Sequence, residues 1–229
     1  MKIGVFDSGK GGLSVAKAIM DALPGHDVVF VDDAQHLPYG SRTPDDLLGL
    51  VMPILLKMQY DGCQVIVVAC NTVTTTLIHV LRRRLIVPLV AVEPMVKPAV
   101  ALSKTKTIAV CATPATLSSG RYAELKRLYA KGVKVIEPDC SNWAEMIEHN
   151  RINRQQIATT VKQVIEGGAD VIVLGCTHYH WIEQDIARMV DAKAAVIQPE
   201  QAIVGRLSQV MNELDDVNKF KTPKTSRQL

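Results

Sequence analysis

The feature that most constrains this chain is that it repeats itself. Asp61 to Thr72 reads DGCQVIVVACNT, and Gly167 to His178 reads GGADVIVLGCTH. Each stretch runs from a small or polar turn through an unbroken aliphatic segment to a cysteine followed by polar residues. Cys70 falls on Cys176, 106 positions later by subtraction. A second pair keeps nearly that offset: KIGVFDS at 2–8 resembles TIAVCAT at 107–113, 105 positions on. DVVFVDD at 27–33 pairs loosely with VKVIEPD at 133–139. Self-similarity at a fixed offset marks a repeated structural unit, so two similar halves are expected.

The runs near 3–6, 28–32, 65–69, 108–111, 133–137 and 171–174 are apolar throughout rather than alternating. That pattern suits parallel strands covered on both faces. Helical patterns lie between them, near 13–23, 74–85, 115–131, 153–166, 179–191 and 200–214. Thr43 and Pro44 supply an N-cap and a first-turn proline for one more helix through about Tyr60. Pro53 is expected to kink or interrupt it. Strand–helix alternation predicts an α/β fold of two doubly wound domains with parallel sheets. The expected division is 1–94 and 95–202, with the active site between them. From about Asp215 the polar tail DDVNKFKTPKTSRQL reads as frayed.

Residues Gly4 to Lys10 spell G-x-x-x-x-G-K, most of a phosphate-binding P-loop. Two residues argue against that reading. A P-loop needs Ser or Thr after its Lys to ligate Mg²⁺, and here Gly11 follows. Asp7 inside the loop would repel a phosphate at close range. Lys10 itself is expected to be solvated.

Composition narrows the functions further. The 26 basic and 23 acidic residues leave a net charge of +3, and the densest basic run, Arg82-Arg83-Arg84, is only three long. With aromatics at 4%, neither a basic stripe nor a stacking platform for nucleic acid is present. No apolar stretch is long enough to span a membrane. Residues 1–30 lack the order of a signal peptide, so the chain reads as cytoplasmic. The five cysteines, at 63, 70, 111, 140 and 176, form no C-x-x-C pair. A zinc ribbon or disulfide framework is therefore not expected, and neither metal nor nucleotide is predicted.

In open α/β sheets, ligands bind beyond the carboxyl ends of the strands. Asp7 and Ser8 follow the first strand there, and Cys70, Asn71 and Thr72 follow the third. The second half contributes Thr113 and Thr116, then Cys176, Thr177 and His178. If the halves face each other, two thiols approach one ligand from opposite sides. That suits racemisation, in which a proton leaves one face of a carbon and another arrives on the opposite face. A thiolate at pH 7 lies about 2 kcal/mol uphill for an ordinary cysteine. Backbone N–H groups at a helix N-terminus, or His178, are expected to lower that cost. Asp7 is expected to relay a proton beside Cys70. Ser8, Asn71, Thr72 and Thr177 offer neutral donors for a carboxylate. Cys63, Cys111 and Cys140 lack the matched context and read as structural.

FDSGKGGLS, LPYG at 37–40, ACNT at 69–72, EP at 93–94, the Thr113/Thr116 spacing and LGCTHY at 174–179 together resemble the glutamate racemase family. That family lies within the aspartate/glutamate racemase superfamily, and the resemblance runs in order from Met1 to about Leu207. It implies a cofactor-independent two-base enzyme that supplies D-glutamate for peptidoglycan and often forms a homodimer. It implies Cys70 as the base for the D-enantiomer and Cys176 for the L-enantiomer, assisted by Asp7 and His178. Glu148 falls where the family often has another assisting carboxylate. Asp7, Ser8, Tyr39, Gly40, Asn71, Thr72, Thr177 and His178 are implied substrate contacts, with Thr113 and Thr116 beside them. The last segment, 203–229, is implied to return to the first domain. The chain departs from the family pattern at Ser141-Asn142-Trp143, at His180 and at VTTT 73–76. Three other readings share the motifs: an aspartate or broad-specificity racemase, a single-thiol decarboxylase or isomerase, and a non-catalytic amino-acid-binding protein.

Overall fold

The structure is a computed structural model that describes the backbone of residues 1–221 and the side chains of residues 1–216. The first half runs β1 (Lys2–Asp7), α1 (Leu13–Ala22), β2 (Asp27–Asp32), α2 (Pro44–Tyr60), β3 (Val65–Val68), α3 (Asn71–Arg84) and β4 (Leu89–Ala91). The second begins with α4 (Val96–Leu102), β5 (Thr107–Cys111), α5 (Pro114–Ser118), α6 (Gly120–Tyr129) and β6 (Lys134–Ile136). It continues with α7 (Trp143–Glu148), α8 (Arg154–Glu166), β7 (Val171–Leu174), α9 (Glu183–Val190) and β8 (Ala195–Ile197), and α10 (Glu200–Lys221) follows.

The repeat is a repeat of topology. One sheet has the order β2-β1-β3-β4 and the other β6-β5-β7-β8, and every pairing is parallel. The unbroken apolar runs follow from burial on both sheet faces. Successive strand residues point to opposite faces. In β3, Val65 and Val67 enter a core shared with α1 and α10, whereas Ile66 and Val68 enter one shared with α2 and α3. In β7, Ile172 and Leu174 pack beneath α7, α8 and α9, while Val171 and Val173 face α4 and α6. Ile203, Leu207, Val210 and Met211 of α10 belong to the first sheet's core, packed with α1 and β4. This returns the chain from the second sheet to the first.

Several local expectations need correction. Of the kink or interruption expected at Pro53, the interruption does not occur: α2 runs unbroken, and the exposed position leaves the freed carbonyl of the preceding turn to water. The helix expected over 115–131 is two helices. Ser119 is extended between them, and its side chain accepts from the Tyr122 N–H to cap α6. The helix expected from 179 begins at Glu183, because Thr177–Ile182 forms a 3₁₀ segment instead. Helix α10 continues past Asp215 to Lys221, and the rest of the polar tail lies outside the described residues. Strands β4 and β8 and helices α4 and α7 were not anticipated; the two strands are three residues each. Among the described residues no helix is long and apolar enough to cross a membrane.

Candidate active site

The carboxyl ends of the two sheets face a common cleft of about 360 Å³. Ser8, Tyr39, Gly40, Cys70, Asn71, Thr72, Thr113, Cys176, Thr177, His178 and Glu148 all line it. Its volume falls at the small end of ordinary ligand sites. No Lys or Arg lines it among the described residues, so neutral donors face any anion that enters.

The two thiols occupy equivalent stations. Cys70 is the N-cap residue of α3, and the backbone N–H groups of Thr72 and Val73 point at its sulfur. Cys176 precedes the 3₁₀ segment, and the N–H groups of His178 and Tyr179 do the same. The strand connections match too: Ala69 N–H donates to the Phe6 carbonyl at 2.8 Å, and Gly175 N–H to the Cys111 carbonyl at 2.7 Å. Both thiols are buried.

Their ionisation differs from the sequence-based expectation. Burial pushes the Cys70 thiol up to about 12, and the Asp7 charge adds to the rise against the Ser8 and backbone donors. Burial also raises Cys176, with Cys70 and Asp7 adding to it. Helix-terminal donors therefore do not hold either thiol ionised here, because removing a thiolate from water outweighs two N–H contacts.

The helpers differ between the halves. Asp7 is wholly buried; its Oδ1 accepts from Gly9 N–H at 3.0 Å and from Ser8 Oγ at 3.5 Å. Its Oδ2 accepts from Thr177 Oγ1 of the second half at 3.0 Å. Cys70 Sγ donates to Ser8 Oγ at 3.4 Å, so a thiol–hydroxyl–carboxylate chain runs from Cys70 to Asp7. Burial raises the Asp7 carboxyl above its ordinary range, against the lowering effect of His178 and its donors. In the second half His178 Nε2 lies 2.7 Å from Glu148 Oε2. A carboxylate only accepts, so Nε2 carries the proton and Nδ1, 3.9 Å from Cys176 Sγ, presents its lone pair to the thiol.

Not every expected residue reaches the cleft. Asp7 lies beneath it, covered by Ser8 and Thr177. Thr116 stands behind Thr113, which donates to it at 3.1 Å and meets Thr72 at 3.0 Å. Asn71 is buried with neither amide group hydrogen-bonded to the protein. Lys10, expected to be solvated, is half-buried and tied to the second half at Glu148 and Asn150. Sequence reasoning missed Asp33, whose Oδ2 accepts from Tyr39 OH at 2.6 Å and so fixes the tyrosine that walls the cleft. Its position just past β2 was the available signal. Ala144, Glu145 and His149 also line the cleft and were not singled out, and Ser141, noted only as a departure from the family pattern, lines it too. Cys63, Cys111 and Cys140 lie in the hydrophobic cores.

Two parallel α/β halves closing on a cleft with one thiol from each define a class of enzyme, and the comparisons agree with it. A family model described as Asp/Glu/Hydantoin racemase matches residues 3–207, and the chain belongs to that family. It is 34% identical over 213 residues to the glutamate racemase of Ralstonia pickettii (strain 12J), covering 91% of this chain and 76% of that protein. It is 37% identical to the glutamate racemase of Pseudomonas entomophila (strain L48), covering 93% and 82%. Among solved structures, Escherichia coli glutamate racemase in complex with L-glutamate and the activator UDP-MurNAc-Ala superposes with a TM-score of 0.85 at 25% identity, covering 92% and 82%. The Aquifex pyrophilus glutamate racemase gives 0.74 at 33% identity, covering 91% and 83%.

Proposed function

We propose that this chain interconverts L- and D-glutamate by a two-base mechanism in which Cys70 and Cys176 act on opposite faces of the α-carbon. The observation that supports the reading is the pair of thiols at equivalent strand ends, one from each half, lining one cleft. Starting from L-glutamate, Cys176 loses its thiol proton to His178 Nδ1, and the thiolate takes the α-proton. Cys70 delivers its proton to the other face, and water then returns a proton to Cys70 and removes one from His178; starting from D-glutamate, the Cys70 proton passes through Ser8 to the Asp7 carboxylate. The reverse direction exchanges the roles. General acid–base groups of this kind act over hydrogen-bond distances or through one intermediate.

The raised thiol values make the substrate part of the base. The α-ammonium brings a positive charge into a buried site, where it favours both thiolates. The unpartnered Asn71 amide, with Thr72 and Thr113 beside it, suits the α-carboxylate. Tyr39, held by Asp33, and Gly40 stand at the side-chain wall. No step needs a metal or pyridoxal phosphate. The product, D-glutamate, fits a role in peptidoglycan synthesis. The test is circular dichroism of L-glutamate, and separately of L-aspartate, incubated with the protein without pyridoxal phosphate. Loss of optical activity with glutamate and little with aspartate supports the reading; faster loss with aspartate replaces glutamate as the substrate; no loss with either sinks it.

A further inference from the structure

We infer that Lys10 is a positioning residue that bridges the two halves and sets Glu148 against His178, and through that pair governs the Cys176 half of the reaction. The inference rests on the racemase reading. Its geometry is independent of it. Lys10 Nζ donates to the Glu148 backbone carbonyl at 2.6 Å and to Asn150 Oδ1 at 2.9 Å. Its backbone N–H donates to Glu148 Oε2 at 3.2 Å, the same oxygen that meets His178 Nε2. One residue of the opening loop thus holds the main chain of Glu148 and caps its carboxylate. The ammonium sits at the C-terminal end of α7, where the carbonyl dipoles favour a cation.

The loop is built for this approach. A Cβ on Gly9 would lie 2.9 Å from Glu148 Oε2, and one on Gly11 would lie 2.6 Å from the His178 backbone nitrogen. The two glycines flanking Lys10 bring its backbone against the second half, and the Lys10 side chain reaches past them to α7. Among the described residues no hydrogen bond joins Lys10 to Cys70, whose hydrogen bond is to Ser8 and through it to Asp7. Loss of the ammonium frees the Glu148 backbone and one donor to its neighbour Asn150. The Glu148 carboxylate then no longer fixes His178 with Nδ1 toward Cys176.

The test uses Lys10→Met and Lys10→Arg in the full chain, with circular dichroism melts to confirm folding. Two readouts are taken: kcat, KM and α-deuterium isotope effects from each enantiomer, and ¹⁵N–¹H spectra of histidine-labelled protein, with the His178 signal assigned by His178→Asn. Lys10→Met should lower kcat on the order of tenfold, the scale of one lost charged hydrogen bond. It should raise the isotope effect from L-glutamate and leave that from D-glutamate unchanged. It should also shift His178 from a single Nε2–H tautomer to a mixture. Lys10→Arg, which keeps a cation with several donors, should restore most of each. Equal changes in both isotope effects, no change at all, or an unaltered His178 spectrum in Lys10→Met would overturn the inference. If the parent protein does not racemise glutamate, the racemase reading fails, and the His178 spectrum still tests the bridge.

Discussion

Replacing Asp7 by Asn should move two properties of Cys70 in opposite directions. Ser8 Oγ is 3.5 Å from Asp7 Oδ1 and 3.4 Å from Cys70 Sγ, so the carboxylate oxygen and the sulfur are at most 6.9 Å apart, the sum of the two. At that separation a unit charge at an effective dielectric of 20 contributes about 2.4 kcal/mol, or about 1.8 pK units. Removing the charge should bring the thiol from about 12 down to roughly 10. The thiolate fraction at pH 8 then rises about 60-fold. A less basic thiolate is also a weaker nucleophile, and with a Brønsted coefficient of about 0.45 the net gain in alkylation rate is about tenfold. Racemisation should fall by about 10²–10⁴, because the proton relay behind Ser8 is gone. The assay is iodoacetamide labelling of Cys70 at pH 8, followed by peptide mass spectrometry, beside the circular dichroism rate. An alkylation rate that is unchanged or slower in Asp7→Asn would refute the argument, because the buried carboxyl would then carry no charge for the thiol to feel.

Three further outcomes are expected. Cys70→Ala and Cys176→Ala should each abolish racemisation with the fold intact by circular dichroism, whereas Cys63→Ala, Cys111→Ala and Cys140→Ala should keep substantial activity. His180→Ala should destabilise the protein by about 3 kcal/mol in denaturant titration, because it strips the partner 2.7 Å from the mostly buried Glu200 carboxylate. Burial pushes Glu200 up, but the hydrogen bond and charge of His180 hold it below its ordinary value. The stabilisation is therefore full above the unfolded-state value of 4.5 and is lost as pH falls through the lowered folded value, so the gap between parent and His180→Ala should narrow in acid.

What the sequence disclosed follows from how local each signal is. Strands buried on both faces must be apolar at every position, so β1, β3, β5 and β7 stood out as aliphatic runs. Strands β4 and β8, at the sheet edges, offer three residues each; β6 is as short, but its likeness to the β2 stretch marked it. The thiols were legible because duplication placed them identically. The thiol ionisation was not, because it is set by desolvation among residues distant in the chain. The His178–Glu148 contact spans 30 positions and Lys10–Glu148 spans 138, and neither leaves a local trace. Lys10 was misread for that reason: a lone lysine between glycines resembles a solvated one until the partner it crosses to is known.

The repeat also explains why the two thiols are alike and their helpers are not. At the offset of 105, Asp7 falls on Ala112 and Ser8 on Thr113; at 106, Thr72 falls on His178. The first half therefore carries a carboxylate where the second has a methyl group, and the second carries an imidazole where the first has a hydroxyl. Each half has the strand-end thiol with its pair of backbone donors, which the proposed proton transfer on two faces of one carbon requires equally. In the proposed mechanism each has a different proton reservoir. The reservoirs are not separate: Thr177, beside Cys176, donates to Asp7, and His178, once charged, opposes the rise that burial imposes on Asp7. In the proposed mechanism, protonation of the imidazole when Cys176 ionises thus favours the charged form of Asp7, the form that accepts the Cys70 proton. In that mechanism two groups of different chemistry, joined through Thr177, serve the two directions of a reaction whose equilibrium constant is one.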